Sequence, residues 1–369
     1  MVRDRNYQFD SLRAFAAALV VFAHTRSRGD YLGELAPLGI AIFFVLSGFL
    51  ITSILLGARE QAEREDVGKG SVLWRFYVRR FLRIFPIYYA VLLVAVLLGE
   101  PVTRQYIAEL ATYRANFLMA RLGQNLSPIT PLWSLSVEEH FYLFWPLIVL
   151  FGSRRVVYGS IGAMVIGSVL IRGVLVLQHA SYQAIAWPTY SAVDSIALGC
   201  LLSMGWRDRD AAARRPWIVF ALVVGIVLQS AYLGLRVFNL PHALAITRVM
   251  NTLPFALICV WLIDRAAHVR LPALFSNRWL ARMGLVSYAI YLVHRYVMHY
   301  IGFDQQRGWD VFAITLSVST AIATVSWLVY EGPINSLKRF VPYVRGGRVT
   351  APDPSPVREP LIQGSGRTH

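Results

Sequence analysis

Charge is scarce in this sequence. Only 15% of the 369 residues are Asp, Glu, Lys or Arg, and the acidic ones are the rarer, 21 against 36 basic, which leaves a net charge of +15. Cysteine is nearly absent. Cys200 and Cys259 both lie inside apolar runs, so no disulfide framework or Cys-x-x-Cys metal site can be built. No internal repeat is visible, which argues against a transporter assembled from inverted halves. What the chain has instead is apolar length: 56% of residues are hydrophobic and the mean hydropathy is +0.50. That composition excludes an ordinary soluble domain. Roughly ten spans of about 20 residues each would consume most of the chain and leave no room for a large appended domain.

Apolar runs predict helices near 9–25, 36–57, 84–99, 139–152, 156–177, 190–206, 216–235, 243–263, 283–302 and 309–330, each close to the length needed to cross a bilayer. The fourth is expected to extend back through Trp133, and 103–120 reads as an interfacial helix outside the count. The fold class expected is therefore all-α, a polytopic integral membrane protein of about ten transmembrane helices. Most of the 36 basic residues fall in alternate connecting segments, beginning with Arg3 and Arg5 and ending after Lys338. By the positive-inside rule both termini are cytoplasmic, and the basic charge is explained by insertion, with no nucleic-acid partner needed. Arg13 interrupts the first apolar stretch and no small-residue cleavage site closes it, so a cleaved signal peptide is not expected. Residues 1–343 form the membrane domain; residues 344–369, rich in Pro, Gly and Arg, read as a disordered cytoplasmic tail.

Ionisable groups inside spans are costly and mark sites. Arg13 and His24 are eleven residues apart on the first helix. Eleven steps of about 100° close to within about 20° of three turns, so the two share one face with a rise of roughly 16 Å between them. Snorkelling to the two interfaces is the bland account. The chemical one is that His24 exchanges a proton with a reacting hydroxyl while Arg13 holds a phosphate or carbonyl. In GIAIFFVLSGFLITSILL, Ser47 and Gly48 read as a small-residue notch for close helix packing, with a use of the Ser47 hydroxyl as second reading. Arg80 and Arg83 in WRFYVRRFLRIFP lie one turn apart, which suits either positive-inside anchoring or a seat for donor phosphates. PLWSLSVEEHFYLFWP places Glu138, Glu139 and His140 together. The adjacent carboxylates diverge by about 100°. One of them faces a cavity and supports His24, or else Ser134 or Ser136 caps the helix with a glutamate in its first turn. Asp194 and Arg248 read as interhelical bonding groups, His294 shares a face with Tyr291 and Met298, and Glu331 reads as interfacial.

Five stretches in order, FDSLRAFAAALVVFAH, FFVLSGFLI, RRFLRIFP, WSLSVEEHFYLFWP and SYAIYLVH, resemble acyltransferase family 3, the bacterial integral-membrane O-acyltransferases of extracellular glycans, lipids and some antibiotics. The resemblance runs from residue 9 to about 335. It implies Arg13 and His24 as the essential pair, and Arg80 and Arg83 near an acyl-CoA donor, most simply acetyl-CoA. It matches the WSLSVEE element to Trp133–Glu139, and it implies the bacterial inner membrane as location. The expected catalytic set is thus His24, Glu138 and Glu139; the donor is held by Arg13, Arg80 and Arg83; Trp133, Ser134, His140, Tyr142 and His294 bind a carbohydrate or glycolipid acceptor; no metal is expected. The family usually has Gly at the positions of Ser11 and Ala14, Gln at His140 and a basic residue at Gly332. His140 therefore bears on acceptor preference. Some members carry a fused esterase-like domain, for which no residues are expected here. From another class, the rival is a transporter or flippase of an anionic glycan or lipid.

Overall fold

A computed structural model describes residues 7–26, 36–208, 211–238, 243–269, 271–272 and 275–343. The expected cytoplasmic tail, 344–369, lies outside the described residues. Everything described is helix or short connection, with no strand among the described residues. The chain runs α1 Tyr7–His24, α2 Ala36–Arg64, α3 Lys69–Leu97, α4 Pro101–Gln105, α5 Ile107–Ala111, α6 Ala115–Leu122, α7 Leu132–Phe151 and α8 Arg154–Leu177. It continues through α9 Tyr182–Ala186, α10 Thr189–Ala192, α11 Asp194–Asp208, α12 Ala211–Val237, α13 Ala243–Met250, α14 Leu253–His268, α15 Arg278–Leu285, α16 Ser287–Ile301 and α17 Trp309–Ser326. A π-turn, Trp327–Glu331, leads into α18, Gly332–Ser336, and a last 3₁₀ turn, Leu337–Phe340.

Among the described residues five helical segments are long and apolar enough to cross a membrane: Ala36–Arg64, Lys69–Leu97, Arg154–Leu177, Ala213–Leu235 and Trp309–Phe340. Several of these turn apolar side chains outward. Leu170 on α8, Phe220 on α12 and Val329 after α17 are 63, 61 and 74% exposed, a belt that suits hydrocarbon and no aqueous surface. The inner helices α11, α14 and α16 are shorter than 18 residues. Their buried faces supply Ile196, Ile263 and Ile290 to the core.

Several elements differ from the sequence reading: the helices expected at 190–206, 243–263 and 283–302 are each broken in two, as α10 and α11, α13 and α14, and α15 and α16. The helix expected at 84–99 begins fifteen residues earlier, at Lys69, because VLWRFYVRRFLRIF keeps a helical spacing of Val72, Phe76 and Ile84 that buries against the core. Arg80 and Arg83 thus sit mid-helix instead of at its entrance. The region 103–120 is three short helices rather than one. The first is started by Glu100, whose carboxylate accepts from Val102 N at 3.0 Å and from Thr103 N, with Pro101 as first helical residue. The fourth expected helix does extend back past Trp133, to Leu132.

Close packing at the centre depends on α2 and α11. A Cβ at Gly48 would lie 2.0 Å from the Ile196 carbonyl oxygen, and one at Gly199 would lie 2.1 Å from that of Val45. Both backbones are in contact, which is the notch read from Ser47 and Gly48. Arg59, on the polar extension of α2, donates to the carbonyls of Val149 and Gly152 at 2.9 and 2.8 Å and so caps the end of α7. Behind these, Arg172 of α8 and Asp194 of α11 form a 2.7 Å ion pair with both side chains fully buried. Arg172 also donates to Val249 O at 2.6 Å and to Ser191 O. Asp194 is therefore an interhelical bonding group, as its position suggested.

Candidate functional site

α1, α2, α3, α7 and the start of α16 surround a cavity of about 330 Å³, toward the small end of ligand pockets, which run roughly 300–1,000 Å³. Its walls carry Arg13, Arg79, Arg80, Arg83 and Lys338, with Glu138 as the acid. Apolar rings and chains such as Ile40, Phe43, Phe44 and Ile84 fill the remainder. Arg13 reaches it from α1, its guanidinium held at 3.2 Å by Asp10 one turn earlier. Arg80 is fixed between two rings, its guanidinium carbon 5.5 Å from the centroids of both Phe76 and Tyr142. Arg83 lies over the Trp327 ring at 5.4 Å and donates to Leu285 O at 3.4 Å.

Of the two glutamates, Glu138 faces the cavity. It accepts a 2.7 Å bond from Ser47 Oγ, which in turn accepts from Tyr142 OH at 3.0 Å. The charges that bear on it are Arg13 and Arg80. Glu139, one residue on, diverges by about 100° and is not among the residues that line the cavity. The serines cap nothing: Ser134 and Ser136 donate back to Pro131 O and Leu132 O at 3.1 and 3.0 Å, and α7 begins at Leu132 without a side-chain cap. That corrects the capping alternative, because α7 starts a full turn before the glutamates.

His24 is absent from the cavity walls. It lies at the far end of α1, where Nδ1 is 2.9 Å from Nε2 of His294 and the two rings stack with centroids 5.1 Å apart. His294 Nδ1 donates to Tyr291 O at 2.7 Å. Tyr291 belongs to both regions: its ring is 5.7 Å from that of His294, and it lines the cavity with its hydroxyl bonded to Ser134 Oγ at 2.6 Å. Arg13 and His24 share a helix face, as their spacing required, but Tyr291 stands between the cavity and the histidine pair. No bond from either glutamate to His24 is present among the described residues; the ring partner of His24 is His294.

The expected acceptor residues separate. Ser134 and Tyr142 line the cavity. Trp133 stacks on Trp187 at 5.4 Å and 6°, packed away from it. His140 contacts Thr189 Oγ1 at 2.6 Å and stacks on Phe117, joining α7 to α6 and α10. Glu331, expected at the interface, is buried and bonded by Ser326 at 2.9 Å, since the π-turn rotates it inward. Arg79 and Lys338, which no sequence motif singled out, also line the cavity. Arg79 donates to Lys338 O and Val341 O at 2.8 and 2.9 Å, and its guanidinium sits 4.7 Å from the Tyr343 ring centroid. These contacts draw the chain after α18 across the cavity's edge. No sequence period signals such a long-range clasp.

The pattern of the acyltransferase domain family matches residues 6–331. The chain belongs to acyltransferase family 3. Among curated relatives, YrhL of Bacillus subtilis (strain 168) is 28% identical over 372 residues, 89% of this chain and 54% of the relative. A peptidoglycan O-acetyltransferase, OatA of Listeria monocytogenes, is 26% identical over 91% of this chain and 57% of its own. An O-acetyltransferase of Staphylococcus aureus, also named OatA, is 25% identical over 88% and 56%. The chain thus spans little more than half the length of these relatives. No solved structure matches it.

Proposed function

We propose that the protein is a membrane O-acetyltransferase that moves an acyl group, most simply acetyl, from cytoplasmic acyl-CoA to a hydroxyl of a carbohydrate or glycolipid. The observation that carries the reading is the basic cavity joined through Tyr291 to His24. Family membership and the names of the relatives support the same chemistry and make a glycan hydroxyl the first acceptor to try. In this reading ten helices span the bacterial cytoplasmic membrane, α1, α2, α3, α7, α8, α11, α12, α14, α16 and α17. Both termini are cytoplasmic, and Arg79 and Lys338 stand at the donor's entrance.

Arg80 and Arg83 hold the donor's phosphates, since planar guanidinium groups match phosphate oxygens. Arg13 holds the donor with them from the α1 side of the cavity, and Glu138 with Ser47 places a carboxylate among these basic groups. His24 accepts the proton of the acceptor hydroxyl as its oxygen attacks the thioester carbonyl. The C–S bond breaks, and the proton returns to the departing thiolate. A relay in which His24 itself carries the acyl group obeys the same balance and shortens the distance the acceptor must travel.

Purified protein in liposomes with labelled acetyl-CoA and a glycan oligosaccharide tests this. Covalent label on the acceptor, lost in His24→Ala at equal protein level, is the expected result. Passage of intact glycan or lipid across the bilayer with no covalent change would establish the transporter instead.

A further inference from the structure

The hydrogen-bond chain at the far end of α1 has a direction. Tyr291 O is a carbonyl and can only accept, so the proton of that 2.7 Å bond sits on His294 Nδ1. His294 is fully buried, and among the described residues no carboxylate bonds to either ring. A charged ring there would be costly to bury, so the ring is neutral and its Nε2 carries a lone pair. The 2.9 Å contact must then be donated by His24 Nδ1–H. In the neutral ring that leaves Nε2 of His24 as the unprotonated nitrogen. No bond to it is present among the described residues, and His24 keeps partial exposure.

We infer that His294 is the positioning residue that fixes His24 as the Nδ1–H tautomer and presents Nε2 as the proton acceptor, with the Tyr291 carbonyl anchoring the pair. The inference rests on the acyl-transfer reading for its consequence, not for its geometry. During transfer the Nδ1 proton stays in place. Nε2 takes the proton of the acceptor hydroxyl, the resulting imidazolium is stabilised by donating from Nδ1 to His294 Nε2, and the thiolate leaving group removes the same proton from Nε2. His294 does for His24 what a carboxylate does in other His-dependent transfers, without adding a negative charge.

Nitrogen NMR of ¹⁵N-histidine-labelled full-length protein in lipid tests the assignment, with the His24 signals identified by their loss in His24→Ala. The expected spectrum has His24 protonated at Nδ1 and bare at Nε2; a proton on Nε2 overturns the inference. In transfer assays His294→Leu should lower kcat about 10²-fold with KM for acetyl-CoA unchanged. His294→Gln, whose amide oxygen can accept from Nδ1, should recover at least about tenfold of that loss. Equal activity of the Leu and Gln variants would contradict it. The tautomer is read without turnover, so a protein that transfers nothing would sink the proposed function and leave this assignment standing or falling on its own spectrum.

Discussion

At the scale of single residues, the structure distributes roles that helical geometry alone left open. Sequence spacing established that Glu138 and Glu139 diverge and that only one can face a given space, but the rotation of α7 about its axis is set by its neighbours, chiefly the Trp133–Trp187 stack and the Trp145 Nε1–H bond to Thr52 Oγ1 at 2.8 Å. No local pattern encodes that rotation. Removing the carboxylate with Glu138→Gln is expected to lower transfer about 10²-fold, and Ser47→Ala less than about tenfold, because Ser47 contributes a single bond to a carboxylate that remains in the cavity without it. Comparable losses from both, in kcat of purified variants, would show that Ser47 does more than support the carboxylate. Arg80→Ala and Arg83→Ala should each raise KM for acetyl-CoA about 10- to 100-fold, the value of one or two charge-assisted bonds, and kcat measured at saturation should fall far less.

At the scale of elements, apolar runs located the helices well and their connections poorly. α2, α8 and α17 begin within two residues of their expected starts because an uninterrupted apolar run has few alternatives. α3 reaches back over a run of arginines that composition assigns to a loop, and only its packing partners reveal it as helix. The α2–α11 crossing offers a direct check. Gly48→Ala puts a methyl group against the Ile196 carbonyl and should cost at least about 1–3 kcal/mol, seen as a lower unfolding temperature in detergent; an unchanged temperature would mean the helices part freely. The Arg172–Asp194 pair predicts non-additivity. Either single replacement by Leu should cost about 3–5 kcal/mol by leaving a buried charge unpaired, and the double replacement less than the sum. On the opposite edge, Asp304, in the connection between α16 and α17, accepts from His299 at 2.6 Å and Ser127 at 2.9 Å. Burial alone would raise its carboxyl, but those bonds and the Arg295 charge hold it below the ordinary carboxylate value. A depressed pKa stabilises the fold fully above the unfolded value and loses that contribution as pH falls through the folded one. Thermal melts below about pH 4 should therefore narrow the difference between the native protein and Asp304→Asn, whereas a constant gap would place the stabilisation elsewhere.

At the scale of the whole molecule, the basic cavity and the histidine pair lie toward opposite ends of α1, Arg13 and His24 being separated by roughly 16 Å of helical rise. The sequence made that separation legible, since the interval from Arg13 to His24 is a length of helix. It could not show that Tyr291 lies between the two, because that depends on how α16 settles against α1 and α7. Such an arrangement is what a protein needs if donor and acceptor meet from different sides of a bilayer. Sided proteoliposomes measure this most directly, with labelled acetyl-CoA confined to the Arg79 and Lys338 face and a glycan acceptor confined to the other. Labelled acceptor is expected in the second compartment, abolished by His24→Ala and by Arg13→Ala. Label that forms only when donor and acceptor share a compartment would contradict it.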